Sequence, residues 1–113
     1  MKRILVFLLV IFSSVFSVTA QDKDIVTEKY KVSGECEQCK KRIEDAAYIK
    51  GVKFAEWDVK TGILTVTYRP SKTSAQDILD HVAAAGHDNE KVAAPESAYN
   101  KLPKCCHYKT AKK

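Results

Sequence analysis

Glycine and proline are scarce in this sequence of 113 residues, with four of the first and three of the second. The glycines stand far apart, so there is no glycine-rich loop to cradle a phosphate. A nucleophile triad and an acid pair placed for hydrolysis are also missing, and conventional catalysis is not indicated. Internal repeats and low-complexity segments are absent. Charge of one sign is lacking over most of the chain: the formal net charge is +5, yet basic residues alternate with acids and leave no continuous stripe to track a nucleic-acid backbone. Only the last stretch, with Lys101, Lys104, Lys109, Lys112 and Lys113, is one-sided, and nucleic acid is not an expected partner.

Long apolar runs are confined to the first twenty residues. Lys2 and Arg3 make a short basic start, Ile4 to Phe12 is almost purely apolar, and Val18, Thr19 and Ala20 form a small-residue exit. These are the zones of a secretory signal, with cleavage expected before Gln21. An uncleaved membrane anchor would need a longer apolar core. No cysteine follows the cleavage site, so the expectation is an exported protein, periplasmic or secreted, with neither a lipid nor a membrane anchor. What remains suits one small domain with a modest core.

Along that remainder, residues 21–27 are polar and expected to be a flexible N-terminus. Glu28 to Ser33 alternates with Tyr30 and Val32 on one face, as a half-buried strand does. From Glu37 the pattern becomes helical, with Cys39, Ile43, Ala46, Ala47 and Ile49 on one side, and Gly51 closes it. Val52 to Val59 and Ile63 to Tyr68 predict a hairpin about Lys60, Thr61 and Gly62. In it Ala55, Trp57 and Val59 share a face with Leu64, Val66 and Tyr68. Ser74 with Asp77 resembles a capping box opening a second helix, which buries Ile78, Leu79, Val82 and Ala85 and ends at Gly86. Asp88 to Ala93 is the weakest strand pattern, and residues 94–113 read as a tail ending in Cys-Cys-His. The order βαββαβ predicts an α+β, ferredoxin-like sandwich over 28–93, an antiparallel sheet with both helices on one face.

Four cysteines are present, in two local pairs: Cys36 and Cys39 within GECEQCKK, and the adjacent Cys105 and Cys106. An oxidising compartment permits disulfides, but local pairs close tiny loops and constrain the unfolded chain little. The first pair falls where a loop meets a helix N-terminus, where the helix dipole and free N–H groups favour thiolate. Lys40 and Lys41 are expected to add to this, and Glu35 and Glu37 to oppose it.

Strand, C-x-x-C, helix, hairpin, helix and the exit AAAGHD (Ala83 to Asp88) together resemble the heavy-metal-associated domain of copper chaperones, mercury-scavenging periplasmic proteins and metal-exporting ATPases. The resemblance covers about Glu28 to Ala93. It implies capture of a soft metal ion by Cys36 and Cys39 and transfer by ligand exchange to a metal-transporting ATPase or another metal-binding protein. Thiolates select Cu(I) and Hg(II), or Zn(II) and Cd(II) when more ligands are available. Relatives usually carry a methionine two residues before the first cysteine; here Gly34 stands there, which implies a looser or differently shaped loop. An acid at Glu35 corresponds to the extra oxygen ligand of relatives that handle zinc, cadmium or lead, or it is a solvated loop carboxylate. His87 occupies the loop position from which some bacterial copper chaperones offer an imidazole, although the plainer expectation is a surface histidine. His81 is expected on the surface of the second helix.

The tail places Cys105, Cys106 and His107 side by side. It either folds back so that one of them completes a four-ligand site with Cys36 and Cys39, or forms a separate scavenging tail, or holds an oxidised or unused pair. Two functions of other classes compete with metal binding. An exported thiol-disulfide oxidoreductase would also carry C-x-x-C at a helix N-terminus, but the usual aromatic beside the first cysteine and a later cis-proline strand have no counterpart among Pro70, Pro95 and Pro103. A disulfide-stapled interaction module is the other.

Overall fold

The computed structural model describes residues 24–109; the expected export segment at 1–20 lies outside the described residues, as do Lys112 and Lys113. Three strands, β1 (Val26–Lys31), β2 (Val52–Trp57) and β3 (Ile63–Tyr68), form one sheet in the order β1-β3-β2. Both pairings of the central β3 are antiparallel. Alternation sets their facing. Leu64, Val66 and Tyr68 are buried along β3, and Trp57 and Ala55 of β2 lie opposite Leu64 and Val66 on that same face. Gly62 makes the hairpin turn with φ of 73°, a left-handed value that an L side chain rarely adopts. β1 begins at Val26, paired with Tyr68, so the chain becomes ordered within the stretch expected to be flexible.

Helix α1 (Glu37–Ala47) buries Cys39, Ile43 and Ala47, spaced four apart on one stripe. Helix α2 (Ala75–Ala84) starts as the capping pattern predicts: Ser74 Oγ accepts the Asp77 N–H at 3.1 Å. Its Ile78 and Val82 join Ile43, Trp57, Leu64 and Val66 in one core, so both helices cover one face of the sheet. This is the expected α+β arrangement.

The last strand is reduced to a single antiparallel bridge between Val32 and Asn89. Asn89 is the reason the ladder stops. Its Oδ1 accepts the N–H groups of Lys91 and Val92 at 3.1 and 2.9 Å, turning the chain away from the sheet edge. Glu90 then takes the Lys31 N–H at 2.8 Å with its side chain.

The tail departs most from expectation, because it is folded. A short helix α3 (Glu96–Asn100) and a 3-10 turn at Lys104–Cys106 bury Tyr99, Leu102 and Cys106 in the main core. Gly86, with φ of 108°, makes room for them: a Cβ there would lie 2.9 Å from the Ala98 carbonyl oxygen and 3.0 Å from Leu102. Tyr108 fastens the end. Its hydroxyl donates to the Gly86 carbonyl and accepts the Asp88 N–H, both at 2.9 Å.

Candidate metal centre

Cys36 is the N-cap of α1 in extended conformation, and no side chain caps that helix end. The uncapped first-turn N–H groups are therefore available to sulfur. Cys39, one turn in, is fully buried, and its Sγ lies 3.5 Å from that of Cys36. From the far end of the chain, Cys106 brings a third buried sulfur to 3.8 Å from Cys36. The ligand atoms of Cys36, Cys39 and Cys106 all fall within 4.8 Å of one another. Cys105, exposed, accepts from the Cys36 thiol at 3.2 Å and donates its own proton to Gln38 Oε1 at 3.1 Å, and stands 3.9 Å from Cys106. All four are free thiols.

Adjacent cysteines can face one point here because the backbone turns beneath them. The Cys106 N–H donates to the Pro103 carbonyl at 2.8 Å and the His107 N–H to that of Lys104 at 3.2 Å. The tail is folded back, and it brings the Cys105 and Cys106 sulfurs beside that of Cys36. His107 is not part of it: Nε2 bonds the Leu102 carbonyl at 2.8 Å and the ring leans on Tyr99.

The thiols differ in acidity. Partial burial raises the pKa of Cys36, but its hydrogen bond with Cys105 and contacts from the Cys39 backbone and side chain outweigh it and bring the thiol down to about 7. Burial pushes Cys106 strongly up, and Cys105 is raised by its hydrogen bond with Cys36. Ionisation at Cys36 is thus favoured over that at Cys105 and Cys106. Lys40 and Lys41 do not contribute as expected. Lys40 bonds Glu44 and the Trp57 carbonyl, and Lys41 pairs with Asp45 at 3.0 Å, both away from the sulfurs.

His87 is not the surface residue expected. It has no exposed area; Nδ1 donates to the Ser33 carbonyl at 2.8 Å, and Nε2 is buried with no partner. Burial lowers its pKa, and Tyr108 stacks on it with ring centroids 5.7 Å apart. Among the described residues, neither its imidazole nor the Glu35 carboxylate belongs to the compact sulfur group. Glu35 instead lines a shallow polar groove with Lys60, Gly62 and Glu90. His81 is exposed, as expected, with Nδ1 on the Asp77 carbonyl.

The loop at Gly34 is differently shaped but not loose. A Cβ on Gly34 would meet the Trp57 ring at 2.9 Å and Cys39 Cβ at 3.1 Å. The indole fills the space beneath the loop, and its Nε1–H holds the Val32 carbonyl at 3.1 Å. Sequence reasoning did not find Trp57, Gly86 and Tyr108 as supports of the site. A tryptophan alternating inward next to a C-x-x-C loop was the available signal for the first.

The heavy-metal-associated domain family matches residues 30–88, half of the chain. The chain belongs to this family. A zinc-transporting ATPase from Synechocystis sp. is 38% identical over 80 residues, 69% of this chain, and the match spans 11% of the ATPase's own length. The solution structure of the N-terminal domain of the zinc(II) ATPase ZiaA is 38% identical with a TM-score of 0.51, covering 63% of this chain and 99% of that one. A CopZ metallochaperone is 30% identical with a TM-score of 0.55, covering 57% of this chain and 98% of the other. The chain is thus similar both to a zinc-transporting ATPase and to a metallochaperone. In this one a cysteine cluster sits at the loop-to-helix junction, and Cys105 and Cys106 lie beyond the residues matched by the family.

Proposed function

We propose that this protein captures a soft metal ion at Cys36 and Cys39 and passes it by thiolate ligand exchange to another metal-binding protein or a metal-transporting ATPase. The observation that carries the proposal is the convergence of sulfurs at the uncapped start of α1, where Cys36 and Cys39 are 3.5 Å apart and free. Cu(I) and Zn(II) are the ions of choice for such donors, with Hg(II) and Cd(II) of the same soft class. The kinship with a zinc-transporting ATPase and with a CopZ metallochaperone supports both the cargo and the type of recipient. Cys36, half-exposed and readily ionised, is the entry ligand; buried Cys39 follows.

The role is that of a carrier or scavenger rather than a catalyst, working after export. An anaerobic titration of the fully reduced chain with Cu(I) and, separately, Zn(II) against a competing chelator tests it. Tight one-to-one binding that disappears in Cys36→Ser plus Cys39→Ser is expected. Equal binding in wild type and that double variant would sink the proposal.

A further inference from the structure

The described tail has no place in a two-cysteine clamp, yet it is built onto the site. Gly86 admits Leu102 and the Ala98 carbonyl, the Tyr108 hydroxyl bridges Gly86 and Asp88, and Lys109 pairs with Asp88 at 3.8 Å. The 3-10 turn then delivers two sulfurs to the C-x-x-C pair.

Four of the Sγ···Sγ separations are 3.2, 3.5, 3.8 and 3.9 Å. A tetrahedral ion with metal–sulfur bonds of about 2.3 Å sets its sulfurs about 3.8 Å apart. Three of these pairs lie within about 0.3 Å of that spacing and the Cys36–Cys105 pair is about 0.6 Å closer; Cys36, Cys39 and Cys106 form the compact group, and Cys105 lies beside Cys36 and Cys106 at its exposed edge. All are sulfur, the set that suits tetrahedral Zn(II) or Cd(II).

We propose that Cys105 and Cys106 join Cys36 and Cys39 in one four-thiolate site for a divalent ion, in which the tail stands in for the recipient's ligands until hand-off. This rests on the metal-capture reading above. Cys39 and Cys106 are both fully buried and hold the ion. Cys105 is exposed and is the ligand that yields. An incoming thiol gives up its proton as its sulfur bonds the metal; the metal–Cys105 bond breaks, and the departing Cys105 thiolate takes a proton from solvent. Metal charge and coordination number are unchanged, and no redox step is needed.

The test loads the full chain with one equivalent of Zn(II). X-ray absorption counts the sulfurs around it, and transfer to a dithiol chelator is timed. The expected result is four sulfurs in wild type, three in Cys105→Ser and two in Cys105→Ser plus Cys106→Ala, with circular dichroism confirming the fold. Loss of both tail ligands should weaken Zn(II) binding by more than about tenfold, the lower end of what losing a mere supporting contact costs a metal site. Cys105→Ser alone should release Zn(II) faster while still binding it. Two sulfurs in wild type, with affinity unchanged in the tail double variant, would overturn the inference and leave Cys36 and Cys39 as the clamp. Absence of Zn(II) binding by the wild type would overturn it as well, and a Cu(I) titration would then show whether the clamp itself survives.

Discussion

The βαββα body and the tail that follows it carry two cysteines each, but they hold them by different means. In the body, Cys39 is locked by the same packing that makes the fold: it sits on the buried stripe of α1 with Ile43 and Ala47, against Trp57. In the tail, Cys106 is buried by a segment with one five-residue helix and one turn, pinned by Leu102, Tyr99 and Tyr108. Cys39 cannot be uncovered without disturbing the core. A tail held by few contacts can open locally, because regions with few buried apolar contacts have low local stability. One pair on the rigid part and a second on the part that can lift suit the proposed capture and hand-off of an ion.

The sharpest way to break this comparison is to injure each region in turn. Trp57→Ala removes a fully buried indole and its bond to the Val32 carbonyl, and should cost about 3–5 kcal/mol, seen as a large drop in the denaturant midpoint. Leu102→Ala should lower that midpoint far less, since the tail lifts before the body unfolds. Alkylation of Cys106 in the metal-free protein should nevertheless rise about tenfold, the equivalent of about 1.4 kcal/mol of lost docking. Equal midpoints for the two variants would mean that body and tail are one cooperative unit.

Gly34→Ala probes the contact between body and loop. Its Cβ would press on the Trp57 ring and Cys39, and a loss of about 1–3 kcal/mol is expected from overpacking. The smallest effect belongs to the sheet edge far from the sulfurs. Glu28 Oε1 accepts the hydroxyls of Tyr68 at 2.6 Å and Tyr30 at 2.7 Å, and these bonds lower its pKa. A carboxyl more acidic in the folded than in the unfolded chain stabilises above the unfolded value of 4.5, and that contribution is lost as pH falls through the lower folded value. Glu28→Gln should therefore cost about 1 kcal/mol at neutral pH and flatten the acid limb of the stability curve. An unchanged acid limb would remove Glu28 from the account.

The body was legible because its signals are local and periodic. Leu64, Val66 and Tyr68 alternate, Cys39, Ile43 and Ala47 repeat every turn, and Ser74 with Asp77 marks a helix start. Cys36 and Cys39 were legible for the same reason, since spacing alone places them at a helix entrance. The fourth strand failed because Asn89 offers the backbone a competing turn, which a weak apolar pattern cannot outbid. Burial of His87 was hidden because it depends on Tyr108, twenty-one positions on, stacking over it. The docking of Cys106 depends on Gly86 admitting Leu102, a long-range fit with no period to announce it.

One measurement tests the central claim most directly. The reduced chain is alkylated in a short pulse with and without one equivalent of Zn(II), and labelling at each cysteine is read by mass spectrometry. Without metal, Cys36 should label readily, because its pKa is near 7, and buried Cys106 slowly. One equivalent of metal should protect Cys36 and Cys39 together, with Cys105 and Cys106 protected at the same stoichiometry. Labelling of Cys36 and Cys39 that ignores the metal would contradict the account.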